Sequence, residues 1–235
     1  MRVILERSNL LKSLNHVHRV VERRNTIPIL SNVLLAADGA SLEMKATDLD
    51  LEVTEATPAR VEQGGATTVP AHLLYDIVRK LPEGAEVMLK TDEDGTAMTV
   101  ISGRSSFRLQ CLPQSDFPEL SAGSFSHIFR LDSTALKGLI DKTQFAISTE
   151  ETRYYLNGIF LHTLETGGKL KLRSVATDGH RLARAEIDAP AGSEGMPGII
   201  IPRKTVSELQ KLVDDPDVAV TTELSDTKIR FTIGS

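Results

Sequence analysis

The chain has 235 residues, of which 40% are hydrophobic and 25% charged, and these near-average values exclude extensive disorder or a collagen-like structure. It has a single cysteine, which excludes an internal disulfide framework and fits a reducing, cytoplasmic compartment. The formal net charge of −5 taken alone argues against a nucleic-acid binder, and no apolar run is long enough to cross a membrane.

The first half of the chain alternates strand-forming runs with two helical stretches. Ser8 is a candidate N-cap for the first helix, and Pro70 suits the start of the second. Asp92, Asp94 and Gly95 lie where a hairpin should turn. The predicted elements are a strand over 2–6, a helix over 8–22, strands over 29–36, 41–46, 49–55 and 66–69, a helix over 71–81, and strands near 86–91, 97–102 and 105–111.

A Pro-, Gly- and Ser-containing stretch over 116–126 is the predicted linker between a first domain over 1–115 and a second over 127–235. Asp132 or Ser133 is expected to cap the first helix of the second domain, which is predicted to run to about Phe145. The other predicted elements are strands over 127–131, 157–164, 170–176 and 181–187, a Gly/Pro-rich loop over 190–198, a helix over 203–213, and strands over 217–223 and 228–233.

The two halves repeat each other at the scale of a whole domain. Neither half alternates helices and strands strictly, so the sequence predicts an α+β fold in which each copy packs two helices on antiparallel sheets. The second copy stops where the first continues through another strand, so we expect that it is incomplete at its C-terminus and leaves an unpaired sheet edge. The matching segments are 7–14 with 132–139, Ala46-Thr47-Asp48 with Ala176-Thr177-Asp178, and Ile101-Ser102-Gly103 with Ile233-Gly234-Ser235.

The predicted helices carry fixed positive charge. In the first helix one apolar and one basic face follow the helical period, and the strand over 49–53 instead alternates apolar with acidic residues. Such a basic stripe is either a solvated face or a surface that binds phosphates without reading bases. The apolar face consists of Leu10, Leu14, Val17 and Val21, and the basic face of Lys12, His16, Arg19 and Arg23.

Two clusters in the second half concentrate unusual residues. Tyr154 and Tyr155, within the segment 153–158, would point to opposite sides of an extended segment. The segment 177–182 contains the turn signal Asp178-Gly179. This second cluster supports two interpretations, a surface turn with local hydrogen bonds or a hydrolase or transferase site in which Asp178 orients His180 as a general base.

Other catalytic and metal-binding signals are weak. The sequence contains no nucleophile elbow, Walker A loop or HExxH motif, and its histidines are scattered. Cys111 lies in an apolar run and is predicted to pack rather than to react. We therefore expect no catalytic residue, no metal site and no cofactor.

The chain resembles the bacterial DNA polymerase III beta subunit family, the sliding clamps. The resemblance implies duplicated DNA-clamp domains, a head-to-tail dimeric ring with helices lining its hole, and a third similar domain that this chain lacks. It also implies a non-catalytic processivity factor that encircles double-stranded DNA and binds short peptides of polymerase and clamp-loader subunits. A protein-interaction scaffold without a DNA role is a further alternative. The motifs that carry the resemblance are Thr26-Ile27-Pro28-Ile29-Leu30, 81–86, Ser102-Gly103-Arg104, Asp116-Phe117-Pro118, 153–158, 176–182 and Pro202-Arg203-Lys204.

The resemblance also implies roles for individual residues. The acidic loop over 148–152 departs from family members that have neutral or basic residues there, which argues against DNA contact by this loop. The implied DNA contacts are Arg24, Tyr154, Tyr155, Arg203 and Lys204; the implied peptide groove is Arg153, Leu156, Thr177, Gly179, His180, Arg181 and Leu182; and the implied subunit interface includes Phe107 and Leu109.

Overall fold

A computed structural model provides the structure of the protein and describes residues 1–120, 123–150 and 152–234. The chain divides into two compact units, residues 1–120 and residues 121–235. Ser121 and Ala122 of the predicted linker, Glu151 of the acidic loop and Ser235 of the internal repeat lie outside the described residues.

The first unit combines two helices with two antiparallel sheets. One sheet has the strand order β5-β1-β7-β8-β9 and the other the order β4-β3-β2-β6. The elements are β1 (Arg2–Glu6), α1 (Arg7–Val17), β2 (Asn32–Asp38), β3 (Ser41–Thr47), β4 (Glu52–Pro58), β5 (Arg60–Gln63), β6 (Gly65–Pro70), α2 (Ala71–Lys80), β7 (Glu86–Thr91), β8 (Ala97–Ser102) and β9 (Ser105–Gln110).

The helices of the first unit bury one face each against the sheets. Leu10 and Leu14 are one helical turn apart on α1 and are fully buried, as are Leu74 and Val78 on α2. They join the inward side chains of both sheets, such as Leu35, in one apolar core. Each such side chain contributes about 1.5–3 kcal/mol of hydrophobic stabilisation, so this core holds the layers together.

The second unit repeats this plan. Its sheets have the strand orders β10-β15-β16 and β13-β12-β11-β14. The elements are β10 (His127–Asp132), α3 (Ser133–Asp141), β11 (Gly158–Thr166), β12 (Lys169–Thr177), β13 (Leu182–Asp188), β14 (Ile199–Pro202), α4 (Arg203–Leu212), β15 (Ala219–Leu224) and β16 (Ile229–Ile233).

The core of the second unit is likewise formed between helices and sheets. Leu136 and Leu139 of α3 and Val206 and Leu209 of α4 are buried together with Leu161 of β11. The predicted α+β class, with duplicated domains that each pack two helices on antiparallel sheets, is therefore confirmed.

Helix α1 is shorter than the sequence period predicts. It ends at Val17. The next residue, His18, has its Nδ1 atom within hydrogen-bonding distance of the Leu14 carbonyl oxygen, at 2.7 Å, and its ring stacks on Tyr75 with ring centroids 3.8 Å apart. The chain then turns, and the adjacent residues Val20 and Val21 that follow the helix are both buried. The predicted extension to residue 22 is wrong, and the basic residues at 19 and 23 follow the helix rather than lie on it.

The predicted helix caps are also corrected. Helix α1 begins at Arg7, with Glu6 rather than Ser8 at the N-cap position. Asp132 occupies the N-cap position of α3, but its side chain makes no cap hydrogen bond. The Ser133 hydroxyl instead donates to the carbonyl oxygen of Val218, which ties α3 to the segment before β15.

Several element boundaries differ from the sequence-based ones. Residues 28–31 form a 3-10 helix because Pro28 starts it, so the predicted strand over 29–36 begins at Asn32 instead. Helix α3 ends at Asp141 rather than near Phe145. Strands β5 and β14, each four residues long, were not predicted from the sequence.

The end of the internal repeat shifts by one residue. Strand β8 ends at Ser102 and β16 at Ile233, and each is followed by a glycine with positive φ, Gly103 at 55° and Gly234 at 80°. Because only glycine adopts this conformation without strain, the two glycines are structural counterparts. The sequence alignment of Ser102 with Gly234 was therefore wrong by one position.

The contrast between the basic helices and the acidic strand over 49–53 does not extend to every sheet. On the second unit Arg173 of β12 pairs with Glu186 of β13, with Nη2 and Oε2 2.6 Å apart. The hydrogen bond from Arg173 lowers the pKa of Glu186. Glu186 and Asp188 of β13 are thus paired with Arg173 and Lys171 of the neighbouring strand, and the sheet carries both signs of charge.

One turn of the first unit holds a leucine in a strained conformation. The Asp48 carboxylate accepts hydrogen bonds from the backbone N–H groups of Asp50 (3.0 Å) and Leu51 (2.7 Å), and Thr47 Oγ1 accepts one from Leu49 (3.0 Å). These bonds delay the start of β4 to Glu52, so the predicted strand over 49–55 was placed too early. They also hold Leu49 at φ 82°, in the left-handed region that favours glycine.

We predict that Leu49→Gly raises the free energy of unfolding by about 0.5–1 kcal/mol, because glycine removes the left-handed strain. Leu49 is 45% exposed, so little apolar burial is lost. Leu73, which is 50% exposed on helix α2, provides the matched control. Leu73→Gly should lower stability by about 1 kcal/mol, as glycine does inside helices. Equal destabilisation by the two changes in thermal melting would contradict the assignment of strain.

Candidate functional site

The turn between β12 and β13 is built by hydrogen bonds from two side chains. Asp178 Oδ1 accepts hydrogen bonds from the backbone N–H groups of His180 and Arg181, both at 3.0 Å. Thr177 Oγ1 accepts one from Gly179 at 3.1 Å and donates one to the Arg181 carbonyl oxygen at 2.7 Å. Gly179 has φ 90°, which explains why glycine stands here. The predicted Asp178-Gly179 turn is confirmed and has a fixed shape.

The carboxylate of Asp178 serves this turn rather than the imidazole of His180. The two backbone hydrogen bonds, followed by the bond from Arg181 Nε to Oδ2 at 2.9 Å, lower the pKa of Asp178 to about 2. The hydrogen bond between Asp178 and His180 is donated by the backbone N–H group of His180. A general-base pair in which Asp178 orients the imidazole is therefore not assembled, and the geometry favours the surface-turn interpretation.

A pH titration checks the hydrogen bonds of this turn. Because the pKa of Asp178 is depressed, its contribution to stability is complete above the usual carboxyl value of 3.8 and is lost as the pH falls towards about 2. NMR titration of the Asp178 carboxyl carbon should give a midpoint near 2. Asp178→Asn should remove this part of the acid dependence of stability, and a midpoint near 4 in the wild type would contradict the geometry.

The segment that precedes β11 packs against this turn. Tyr154, Tyr155 and Leu156 form a 3-10 helix, so the extended conformation predicted for the two tyrosines is wrong. Arg153 Nη1 lies 3.4 Å from the point where a Cβ on Gly179 would be, and its Nε is 3.0 Å from Glu150 Oε2. The structure thus brings the segment and the turn together at one edge of the sheet.

This edge exposes apolar side chains between fixed cations. Leu182 is 65% exposed at the start of β13, and Leu156 is half-buried. Phe145 is 57% exposed, with the Arg181 guanidinium 5.7 Å from its ring centroid. Sequence reasoning missed Phe145, because it was assigned to a helix that ends earlier. The arrangement offers apolar surface for the anchors of a short peptide and arginines for its polar groups.

A cleft of about 340 Å³ lies next to the same segment. The backbone N–H of Arg203 donates to the Asn157 carbonyl oxygen at 2.9 Å, which joins the start of α4 to the end of the 3-10 helix. The cleft therefore contains two predicted DNA contacts, Arg203 and Lys204, and one residue, Asn157, that directly follows the 3-10 helix of the tyrosines. Four lining residues were missed, because three separate segments supply them. The lining residues are Thr149, Asn157, Arg203, Lys204, Ser207 and Glu208.

Both tyrosines project from the surface. Tyr154 is 80% and Tyr155 56% exposed, and their rings meet edge to face with centroids 5.7 Å apart. Exposed aromatic rings beside cations suit contact with nucleic acid, since the rings can stack and the cations attract phosphates.

The remaining predicted site residues lie in the first unit. Arg24 is exposed in the irregular segment after α1. Phe107 is 38% exposed on β9, the edge strand of its sheet. Leu109, on the same strand, is 1% exposed and belongs to the apolar core, so its side chain is unavailable as the surface contact implied by the resemblance.

Within residues 1–120, 123–150 and 152–234, no cluster of three or more His, Cys, Asp or Glu side chains could hold a metal ion. Cys111 is half-buried against the core of the first unit, and this burial raises the pKa of its thiol. None of the described helices is both long enough and apolar enough to span a membrane.

Comparison with known proteins identifies both units. Residues 1–121 match the family model of the DNA polymerase III beta subunit N-terminal domain, and residues 130–235 match the central domain. The chain is 52% identical to the beta sliding clamp of Caulobacter vibrioides over 235 residues, covering 100% of this chain and 63% of the relative. It is 40% identical to the Escherichia coli beta sliding clamp over 237 residues, covering 100% of this chain and 62% of that protein.

A solved structure agrees with this match. The sliding clamp of Bartonella birtlesii, bound to griselimycin, has a TM-score of 0.96 and 60% identity, and the match covers 100% of this chain and 63% of that chain. The chain thus spans less than two thirds of the length of these relatives. The predicted family is confirmed: the chain belongs to the DNA polymerase III beta subunits, the beta sliding clamps.

Proposed function

We propose that the protein acts as a sliding clamp, a processivity factor that encircles duplex DNA and tethers the replicative polymerase to it. The observation that carries this proposal is the match of both units to the clamp family, and a cleft on the second unit that is lined by Arg203 and Lys204 supports it. In this role the protein has no catalysis of its own and needs no cofactor, and it works in the cytoplasm.

DNA contact uses Arg24, Tyr154, Tyr155, Arg203 and Lys204. Arginine and lysine side chains attract phosphates of any sequence, and intervening water keeps the contacts loose enough for movement along the duplex. Glu150 is held by Arg153, which supports the expectation that the acidic loop contributes no DNA contact. Affinity is therefore expected to be weak, sensitive to salt and independent of sequence.

Partner binding uses the peptide groove defined by Arg153, Leu156, Thr177, Gly179, His180, Arg181 and Leu182. The groove takes apolar anchors of short peptides from polymerase and clamp-loader subunits. The proximity of the Arg153 guanidinium to Gly179 and the exposure of Leu182 support this assignment. The bound ligand in the Bartonella birtlesii relative shows that a clamp of this family binds griselimycin.

In the full-length protein, Phe107 contributes to the interface of a homodimeric ring whose subunits each have a third domain. We assign the first domain to residues 1–115, the linker to 116–126 and the second domain to 127–235. Exposed Phe107 on an edge strand supports this role, since backbone groups at a sheet edge can pair with a partner strand.

A processivity assay tests the proposed function. The full-length protein, supplied with its polymerase and clamp loader on primed circular template, should lengthen the products made in a single polymerase binding event. Leaving out the clamp loader serves as the control, because a closed ring needs opening. Products of unchanged length in the complete mixture would contradict the clamp function, and turnover of a small substrate would favour the enzyme alternative.

A further inference from the structure

One acidic side chain lines the same cleft as the two cations that we assign to DNA contact. Glu208 of α4 borders this cleft together with Arg203 and Lys204. The Glu208 side chain is only 11% exposed, and its Oε1 atom lies 2.7 Å from Nζ of Lys211, three residues further along the helix. A carboxylate in this position lowers the positive potential of the cleft, because it lies close to the charges that attract phosphates.

The first unit carries the same kind of ion pair in the corresponding helix. Helices α2 and α4 each begin directly after a proline, and Asp76 and Glu208 are both the sixth residue of their helix. Asp76 Oδ1 lies 3.1 Å from Nη2 of Arg79, so this pair also joins residues three positions apart. The duplicated domain therefore contains the acid–cation pair twice, and the two copies can be compared.

The two copies of the pair differ in their surroundings. The Asp76 side chain is 43% exposed, whereas the Glu208 side chain is 11% exposed. Helix α2 begins with Ala71-His72, and α4 begins with Arg203-Lys204. The acid on the helix that begins with two fixed cations is therefore the one withdrawn from solvent, where water and salt screen its charge least. Burial of a charge is unfavourable, so a neutral side chain at this position would be the simpler choice for packing alone.

The position of α4 is determined by other contacts. Val206 and Leu209 are buried in the core of the second unit, and Gln210 Nε2 donates a hydrogen bond to Asp141 Oδ1 of α3 at 2.6 Å. A glutamine in place of Glu208 has nearly the same shape and leaves these contacts in place. The substitution therefore tests the charge of Glu208 separately from its packing.

We propose that Glu208 limits the affinity of the cleft for DNA phosphates. This role rests on the proposed DNA contact by Arg203 and Lys204. The carboxylate offsets part of their positive charge, and it engages Lys211 in an ion pair, so that this cation adds no further phosphate contact. A ring that is held on DNA by topology works best with a weak grip, because tight phosphate contacts would slow its movement along the duplex.

Glu208→Gln should raise the affinity for duplex DNA about 3- to 10-fold near 0.1 M salt and steepen the slope of log K against log salt by up to about 0.9, the value for one phosphate contact. The measurement is fluorescence anisotropy of a labelled duplex titrated with the full-length protein across a salt series. Glu208→Asp keeps the charge and should raise the affinity less than Glu208→Gln does. Glu186→Gln, which neutralises a cation-paired glutamate on strand β13, is the matched control and should leave the affinity almost unchanged.

Lys211→Gln tests the other half of the pair and should have the opposite effect. It leaves the Glu208 charge without its cation, so DNA affinity should fall several-fold. This variant decides the question if thermal melting shows that Glu208→Gln folds poorly. Unchanged affinity in the folded variants, or an equal increase in Glu208→Gln and Glu208→Asp, would overturn the proposal. Absence of DNA binding by the wild type at low salt would instead overturn the DNA contact on which the proposal rests.

Discussion

Replacing Leu156 or Leu182 by aspartate should lower the affinity for a clamp-binding peptide roughly 10- to 100-fold, because each change removes an apolar contact and adds a charge. Leu182 is 65% exposed and Leu156 is half-buried in its short 3-10 helix. The measurement is a titration of a short peptide with apolar anchors, followed by calorimetry or anisotropy. Leu182→Asp is the cleaner variant, because its exposed side chain contributes little to the core.

The matched control for this prediction is Leu73→Asp, which changes a comparably exposed leucine in the first unit. It should leave peptide affinity unchanged. Thermal melting of the Leu156→Asp variant separates lost binding from lost folding. Equal peptide affinity in the wild type and in both groove variants would contradict the assignment of Leu156 and Leu182 to the peptide groove.

Replacing Arg24, Arg203 and Lys204 by alanine should weaken DNA binding roughly 100-fold near 0.1 M salt and flatten its salt dependence. Each lost phosphate contact lowers the slope of log K against log salt by about 0.9. Arg203 and Lys204 line the cleft on the second unit, and Arg24 is exposed in the first unit. The measurement is binding to two duplexes of unrelated sequence across a salt series.

The control for DNA binding is Lys169→Ala, which removes an exposed cation from the sheet strand β12. It should change the salt slope much less than the triple substitution does. Binding that prefers one duplex strongly, or that shows no salt slope, would contradict a surface that contacts only phosphates.

The parts of the fold predicted from the sequence are those set by local chemistry. The turn at Asp178-Gly179 follows from a carboxylate that accepts nearby backbone N–H groups and from a glycine that tolerates φ 90°. Pro70 likewise indicates the start of α2, which begins at Ala71. In both cases residues adjacent in sequence determine the conformation, so no tertiary contact is needed to predict it.

The errors arose where tertiary packing overrides the local pattern. Helix α1 has a continuing apolar period, but it ends at Val17, and the next residue, His18, stacks on Tyr75 of helix α2. Leu109 lies on an edge strand yet points into the core, a direction that depends on which face of the sheet the helices cover.

For a similar reason, the sequence predicted only some of the residues of the candidate site. Arg153 and Gly179 lie close to each other although they are distant in sequence, and the resemblance alone joined them. Phe145 and Asn157 have no local signal that assigns them to a site, since their neighbours come from other segments. Residue patterns therefore identified the turn, and the structure supplied its neighbours.

The central claim, that the protein is a clamp held on DNA by topology, is tested most directly by retention on circular DNA. The full-length protein should be loaded onto a nicked circular duplex by its clamp loader and then separated by gel filtration at moderate salt. It should stay with the circle and be released after a single restriction cut, because a ring slides off a free end. Equal retention on circular and cut DNA would contradict the claim.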